Sequence, residues 1–377
     1  MDPVNMMKTC GVKCPDTTDH LSKMRKARIC AWMLVGFSLI SGAYFLFIIH
    51  EEHYDWMDTR TGTRIRQALS QSQHILTNTK EYYNNCPEDP EFLASINNTA
   101  YGNLVEKKTS NVVYISVPKC GSRTFVWTSW ILKEINNISV INDLPYLLEN
   151  SEEDKMINLM TEKLHSVPEG ALFHGHVRFI DFTDPAVMPI YVSMLRDPLA
   201  RHISWYYFMR FGDSDMDANK LHEMIAKEGV TAVNETYDEC VENGRLSCTS
   251  LYYVNINIRT FCGYERKCIT SPEYALEQAK HNLDKFLVVG IVEEYESSLR
   301  VLERLLPSMF KGAMHEYQSN KAQFSSVSKT AFKKMPTTKT VEIMKDRMKL
   351  DYEFYDYVKE RFHRLKRHLG MDRCESV

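Results

Sequence analysis

The chain has 377 residues and a formal net charge of −3, from 46 Lys and Arg against 49 Asp and Glu. That near-balance excludes a chain that traps polyanions as a whole, nucleic acid included, so any anionic ligand must be held by a local patch. The length is enough for one large α/β domain with a membrane anchor and a stem, and no repeats or low-complexity tracts interrupt it.

Residues 29–49, ICAWMLVGFSLISGAYFLFII, are 21 positions without a charge. At ~1.5 Å per residue a helix of this length spans the ~30 Å hydrocarbon core of a bilayer. Lys8, Lys13, Lys23, Arg25, Lys26 and Arg28 precede the run, and Glu51 and Glu52 follow it. The positive-inside rule then predicts a cytosolic N-terminus and a lumenal chain after residue 50. A cleaved signal peptide fits poorly, because the run is longer than a signal h-region and lies behind a 28-residue tail. The expected order is a cytosolic tail over 1–28, a transmembrane signal anchor over 29–49, a stem over 50–108 and a folded domain over 109–377. The stem begins with a helix-prone stretch over 64–83 and continues through the turn-rich Asn84-Asn85-Cys86-Pro87-Glu88-Asp89-Pro90.

The folded domain opens on Val112-Val113-Tyr114-Ile115-Ser116, a β-branched run that reads as a buried strand. A short loop follows with Pro118, Lys119, Cys120, Gly121, Ser122, Arg123 and Thr124, and the chain is amphipathic over 125–135. Strand, polar loop and helix in that order aim backbone N–H groups and a helix N-terminus at a phosphate. Lys119 adds a mobile charge, and Ser122 and Thr124 add hydroxyl donors. The ATP-type loop G-x-x-x-x-G-K-[ST] is absent, because Lys119 precedes the glycine. An ordinary strand-turn-helix corner accounts for the same residues when they are taken alone.

Residues 171–179, ALFHGHVRF, read as the next strand. A period of two places His174, His176 and Arg178 on one face and Phe173, Val177 and Phe179 on the other. A metal pair would need a third ligand nearby, and H-E-x-x-H is missing, so no metal is expected. Two readings stay open for the histidines: structural imidazoles, or a general base working near neutral pH. A further strand over 189–195 delivers Arg196-Asp197-Pro198, with a helix expected over 199–210. Asp before Pro is a helix-start signature. Arg196 and Ser204 can converge on one phosphate by guanidinium and hydroxyl contacts, although a charge-paired helix cap is the plainer account of R-D-P in isolation.

Cys240, Cys248, Cys262 and Cys268 have no C-x₂-C pair, so disulfides are favoured over zinc. Of the three possible pairings, Cys240–Cys248 and Cys262–Cys268 close the shortest loops. Cys120 is expected to be a free, packed thiol. Asn97, Asn137 and Asn234 head N-x-[ST] triplets that a lumenal domain exposes to glycosylation. A long helix rich in Tyr and Phe is expected over 340–367.

Taken in order, VPKCGSRT (117–124), FHGHVRF (173–179), the RDP…R…S…YYF…RFGD run (196–213), the cysteine spacing through FCG (261–263), FLVVGIVEE (286–294) and KTAFKKMPT (329–337) carry a resemblance. Over about residues 111–370 the chain resembles the Golgi hexuronic-acid (heparan sulfate and uronyl) 2-O-sulfotransferase family, and most of all its insect Pipe-type branch. The resemblance implies an α/β three-layer sandwich around a mainly parallel sheet. It implies 3′-phosphoadenosine 5′-phosphosulfate (PAPS) as the sulfuryl donor. Lys119, Cys120, Gly121, Ser122, Arg123 and Thr124 would then form the 5′-phosphosulfate loop, and Arg196 and Ser204 would grip the 3′-phosphate. His176 would be the base that takes the proton of a uronic acid 2-hydroxyl, with His174 supporting it or orienting substrate. Arg178, Lys329 and Lys333 would face the glycan, and a homotrimer in the Golgi membrane is implied as the assembly.

Ile115-Ser116-Val117 stands where the heparan and uronyl branches carry N-R-V, and Ser328 stands where the heparan branch has Arg. The segment after Gly212 holds Asp213, Asp215, Asp217, Glu223, Glu228 and Glu235 against Lys220 and Lys227. These departures point away from heavily sulfated heparan and toward a less sulfated glycosaminoglycan or a glycoprotein glycan. They also define the alternative, a catalytically silent glycan-binding or assembly subunit.

Overall fold

The computed structural model of the chain describes residues 111–142, 144, 153–167, 170–182, 188–212 and 229–371. The expected anchor over 29–49, the stem over 50–108 and Asn97 lie outside the described residues. Among the described residues no helix is long and apolar enough to cross a membrane.

Strand β1 (Val112–Ser116) is buried along its whole length and leads through the Lys119 loop into α1 (Ser122–Asn136). Asn137 ends that helix in the left-handed region (φ 52) and stands exposed at the surface. Then follow β2 (Ser139–Ile141), α2 (Glu153–His165), β3 (Ala171–Gly175), β4 (Ile190–Leu195) and α3 (Pro198–Phe211). Several one-turn helices come next, before α4 (Ile256–Cys262) and α5 (Pro272–Asn282). The chain closes with β5 (Phe286–Ile291), α6 (Tyr295–Leu305), α7 (Ala313–Ser328), α8 (Thr338–Arg347) and α9 (Lys349–His368).

The five strands form one sheet in the order β2-β3-β1-β4-β5, and every pairing is parallel. All strand C-termini therefore lie on one edge, where ligands of open α/β sheets gather. The chain leaves central β1 toward β2 on one side and leaves β4 toward β5 on the other. Right-handed crossovers then carry α1 and α3 to opposite faces, with a crevice between the ends of β1 and β4. Contacts agree with this: α1 packs with α7, and α6 packs with α7 and β5, whereas α9 packs with α3, α4, α5 and β5.

Two expectations are corrected. The strand expected over 171–179 ends at Gly175, so Arg178 does not continue a face with His174. Its next backbone donors leave the ladder: Arg178 N–H bonds the Tyr264 hydroxyl and Phe179 N–H bonds the Thr260 carbonyl, both in the α4 region. The single helix expected over 340–367 is two, α8 and α9, broken at Met348. Met348 is fully buried in a cluster with Met344, Leu199, Ile203 and Tyr206. That packing turns the chain although the local residues favour helix throughout. Strand β2 has only three residues, too few for an alternation signal.

Cys240 is bonded to Cys248 and Cys262 to Cys268, and Cys120 is a buried free thiol. Asn234 is exposed.

Candidate functional site

The loop between β1 and α1 is built on two residues with positive φ, Lys119 (68°) and Gly121 (74°). A left-handed lysine carries backbone strain of about 1–3 kcal/mol, a cost that surrounding structure must sustain. The Cys120 N–H closes the turn on the Val117 carbonyl at 3.2 Å. A Cβ on Gly121 would lie 3.3 Å from Tyr295 Cε2, a tight contact that adds to the strain of its positive φ. Gly121 is the N-cap of α1 and gives it no side-chain cap, and the first turn holds no acidic residue. The positive end of a 15-residue helix is thus presented uncapped at the crevice.

Cations surround this helix end. Lys119 Nζ lies 3.9 Å from the centre of the Phe208 ring, and the Arg123 guanidinium lies 6.0 Å from the same ring. Arg196, at the end of β4, donates from Nη1 to the Lys119 carbonyl at 3.4 Å. The Ser204 hydroxyl, two turns into α3, pairs with the Thr330 hydroxyl at 3.1 Å. The strap after α7 is therefore tied to the helix that follows Arg196. Lys333 on that strap is held below the usual lysine value by partial desolvation and by the charges of Arg196 and Lys329. Gathering like charges this way is unfavourable unless an anion joins them. Burial pushes the Cys120 thiol up to about 12, so it stays protonated and is no nucleophile.

His176 follows β3 directly and meets the end of β1. Its Nδ1 is 2.7 Å from the Ser116 carbonyl. A carbonyl only accepts, so Nδ1 carries a proton, and in the neutral ring Nε2 is the basic nitrogen. His174 has a different environment. Its ring lies 5.6 Å from Tyr114 and 6.1 Å from His176, and its Nε2 is enclosed without a partner. Burial, with a smaller contribution from His176, lowers it to about 3, so it is neutral. Arg178 is 3% exposed and lies 5.5 Å from the centre of the Tyr264 ring, which makes it part of the packing against α4 and not a presented cation. Lys329 and Lys333 are exposed.

His174 gives a prediction for stability. An unfolded imidazole titrates near 6.5 and the folded one near 3. As pH falls through that window the unfolded chain takes up a proton that the folded protein does not, so stability falls. In a series of Tm against pH, His174→Gln is expected to lose less stability than wild type between pH 6.5 and 4. Buried His202 is also held low and is present in both proteins, so the difference isolates His174. Parallel curves would show that His174 is not a buried neutral group.

Two contributors escape motif reading. Phe208 lies one helical turn beyond Ser204 on the same face of α3, so helical spacing from Ser204 could have found it. Tyr295 opens α6, far along the chain from the loop, and leaves no signal near it.

Residues 103–358 match the sulfotransferase family. Uronyl 2-sulfotransferase of Homo sapiens is 36% identical over 274 residues, an alignment covering 70% of this chain and 64% of that protein, and the Mus musculus protein gives the same figures. Heparan sulfate 2-O-sulfotransferase 1 of Homo sapiens is 31% identical over 276 residues, covering 70% of this chain and 74% of the relative. The chain thus spans just under two thirds of the length of the uronyl enzymes. Since the matched span starts ahead of β1 and ends inside α9, taking in the Lys119 loop, both histidines and Arg196, the chain belongs to the sulfotransferase family.

Proposed function

We propose that this protein is a Golgi carbohydrate 2-O-sulfotransferase that uses PAPS as donor and a uronic acid 2-hydroxyl as acceptor. The observation that carries the reading is the meeting of three strand ends: His176 after β3 bonds the last carbonyl of β1, and Arg196 after β4 bonds the carbonyl of Lys119. The residues suit a nucleotide rich in phosphate, because a helix N-terminus with no acidic first turn meets Arg196 at the Lys119 loop, and Lys333 adds charge beside Arg196. When bound, the donor supplies an activated sulfuryl group and a bisphosphate leaving group.

The chain's own residues supply position and charge. Lys119 and Arg123, with the first N–H groups of α1, hold the phosphosulfate end and oppose the charge that grows there. Arg196 and Ser204 hold the 3′-phosphate. His176 Nε2 takes the proton of the attacking hydroxyl, while the Nδ1 bond to Ser116 keeps the ring's tautomer and direction. His174 packs behind it. The work is positioning plus electrostatics. Two of the relatives are named for uronyl or heparan sulfate 2-sulfation, which supports the uronic acid 2-hydroxyl. Ser116 in place of an arginine and the acidic segment after Gly212 favour a less sulfated glycosaminoglycan or a glycoprotein glycan, as in a Pipe-type member. The reading includes a type II anchor over 29–49, a lumenal α/β three-layer domain over 109–377, a homotrimer, and glycans at Asn97, Asn137 and Asn234.

The test is a transfer assay with the detergent-solubilised full chain, PAPS and a panel of desulfated glycosaminoglycans. Sulfate at uronate C2 is expected. Glycan binding without transfer would replace the reading by the silent-subunit alternative. In the same protein, Arg196→Ala is expected to weaken adenosine 3′,5′-bisphosphate. Loss of a charge-assisted bond of about 1.5–3 kcal/mol corresponds to roughly 10- to 150-fold. Unchanged affinity by calorimetry would remove Arg196 from the 3′-phosphate.

A further inference from the structure

The corner that aims Arg196 is held by residues more than 90 positions later in the chain. Asp197 has φ −42 and ψ 124, between strand and helix, and its carbonyl accepts the Arg201 N–H at 2.9 Å. Its N–H donates to Glu293 Oε1 at 3.1 Å, its Oδ1 accepts the Ala200 N–H at 2.7 Å, and its Oδ2 accepts the Tyr352 hydroxyl at 3.0 Å. The other Glu293 oxygen accepts the Tyr355 hydroxyl at 3.0 Å. Tyr352 and Tyr355 are three residues apart on α9 and share a face. Together they close a ring, Tyr352–Asp197–Glu293–Tyr355, around the residue that follows Arg196.

Glu293 is unexpected in this place. It follows β5 at the same sheet edge as the phosphate loop, close enough that its charge raises the Cys120 thiol. A carboxylate there opposes anion binding, so its presence calls for a positional reason, and both of its oxygens are used. The two phenols are held well above the usual tyrosine value by burial and by Asp197 and Glu293, so they remain donors at physiological pH. The far end of α9 is fixed to the neighbouring residue: His363 Nε2 lies 2.5 Å from Glu294 Oε1, and Lys366 Nζ donates to Glu294 Oε2 at 3.2 Å. At its start, Asp351 is buried and accepts the Ile258 N–H at 3.1 Å. The helix is thus a beam pinned at three points, to α4 at its start and to the residues that follow β4 and β5 along its length.

We propose that Tyr352 and Tyr355 are positioning residues for the 3′-phosphate grip: through Asp197 and Glu293 they hold Arg196 in line with the Lys119 loop. This rests on the reading of Arg196 as the 3′-phosphate contact. It also gives the C-terminal helix a part in donor selectivity, because the feature that Arg196 would read is the 3′-phosphate itself.

The experiment measures, by calorimetry on the full chain, affinities for adenosine 3′,5′-bisphosphate and for adenosine 5′-phosphate. The proteins are wild type, Tyr352→Phe, Tyr355→Phe, Glu293→Gln and Glu293→Ala. Each Phe variant is expected to bind the bisphosphate roughly 3- to 10-fold more weakly, the range for one lost hydrogen bond, with little change for the 5′-phosphate. In transfer assays the loss appears in KM for the donor and not in kcat. Glu293→Gln, which keeps an oxygen for the Asp197 N–H, is expected to retain most of the affinity that Glu293→Ala loses. Equal loss for both nucleotides would mean that the tyrosines only support packing, and no loss for either would also overturn the proposal. A wild type that does not prefer the bisphosphate would overturn the reading of Arg196, and the positioning role with it.

Discussion

His176→Ala is expected to lower kcat by about 10²–10⁴, the usual contribution of a general base, with nucleotide affinity nearly unchanged. The argument starts from the tautomer. The Ser116 carbonyl at 2.7 Å, the last of β1, holds a proton on Nδ1, so in the neutral ring Nε2 is the nitrogen that can take one. His174 does not share that arrangement, because its Nε2 is enclosed and burial holds the ring near 3. Asparagine at 176 separates the two jobs of the ring. Its amide can still donate to the Ser116 carbonyl but has no lone pair suited to take a proton, so His176→Asn should keep the local geometry and lose turnover as alanine does. Rates from single-turnover experiments at saturating donor are the measurement. Near-normal turnover in His176→Asn would move the base elsewhere. Loss in His174→Ala with retention in His176→Ala would exchange the roles of the two histidines.

The parts of this site that lie close together in sequence were legible before any coordinates. Lys119, Gly121 and Ser122 announce a strand-loop-helix corner, and Arg196-Asp197-Pro198 announces a helix start behind a strand. Both have local causes, a glycine turn in one case and a capping carboxylate in the other, and local causes are written in neighbouring residues. Where contacts are long-range the reading failed. A period of two puts Arg178 on the histidine face, but the ladder stops at Gly175, and Tyr264 and Thr260 take the backbone donors of Arg178 and Phe179. The break at Met348 has the same kind of cause, a buried methionine in a cluster drawn from α3 and α8. Glu293 and the two α9 tyrosines reach the corner only because the parallel sheet brings the ends of β1, β4 and β5 to one edge, which no local pattern reports.

Lys119→Ala is expected to give the largest loss of all, a fall in kcat of at least about 10³. Removing one preorganised donor at a site of developing charge typically costs about 10²–10³ in kcat, and Lys119 also contributes a full positive charge near the positive end of α1. The ammonium rests 3.9 Å from the Phe208 ring, which keeps it at the mouth of the loop. Arginine is not expected to replace it. The residue at this position has φ 68, and its carbonyl already accepts a bond from Arg196, so a wider guanidinium would have to enter a corner where Arg123 also approaches Phe208. Lys119→Arg should therefore recover little turnover while keeping affinity for adenosine 3′,5′-bisphosphate closer to wild type than alanine does. That separation of binding from rate is the signature of a charge needed more in the transition state than in the ground state. If Lys119→Ala lost only donor affinity, with kcat intact at saturation, the lysine would be a binding residue alone and the charge stabilisation would fall to Arg123 and the N–H groups of α1.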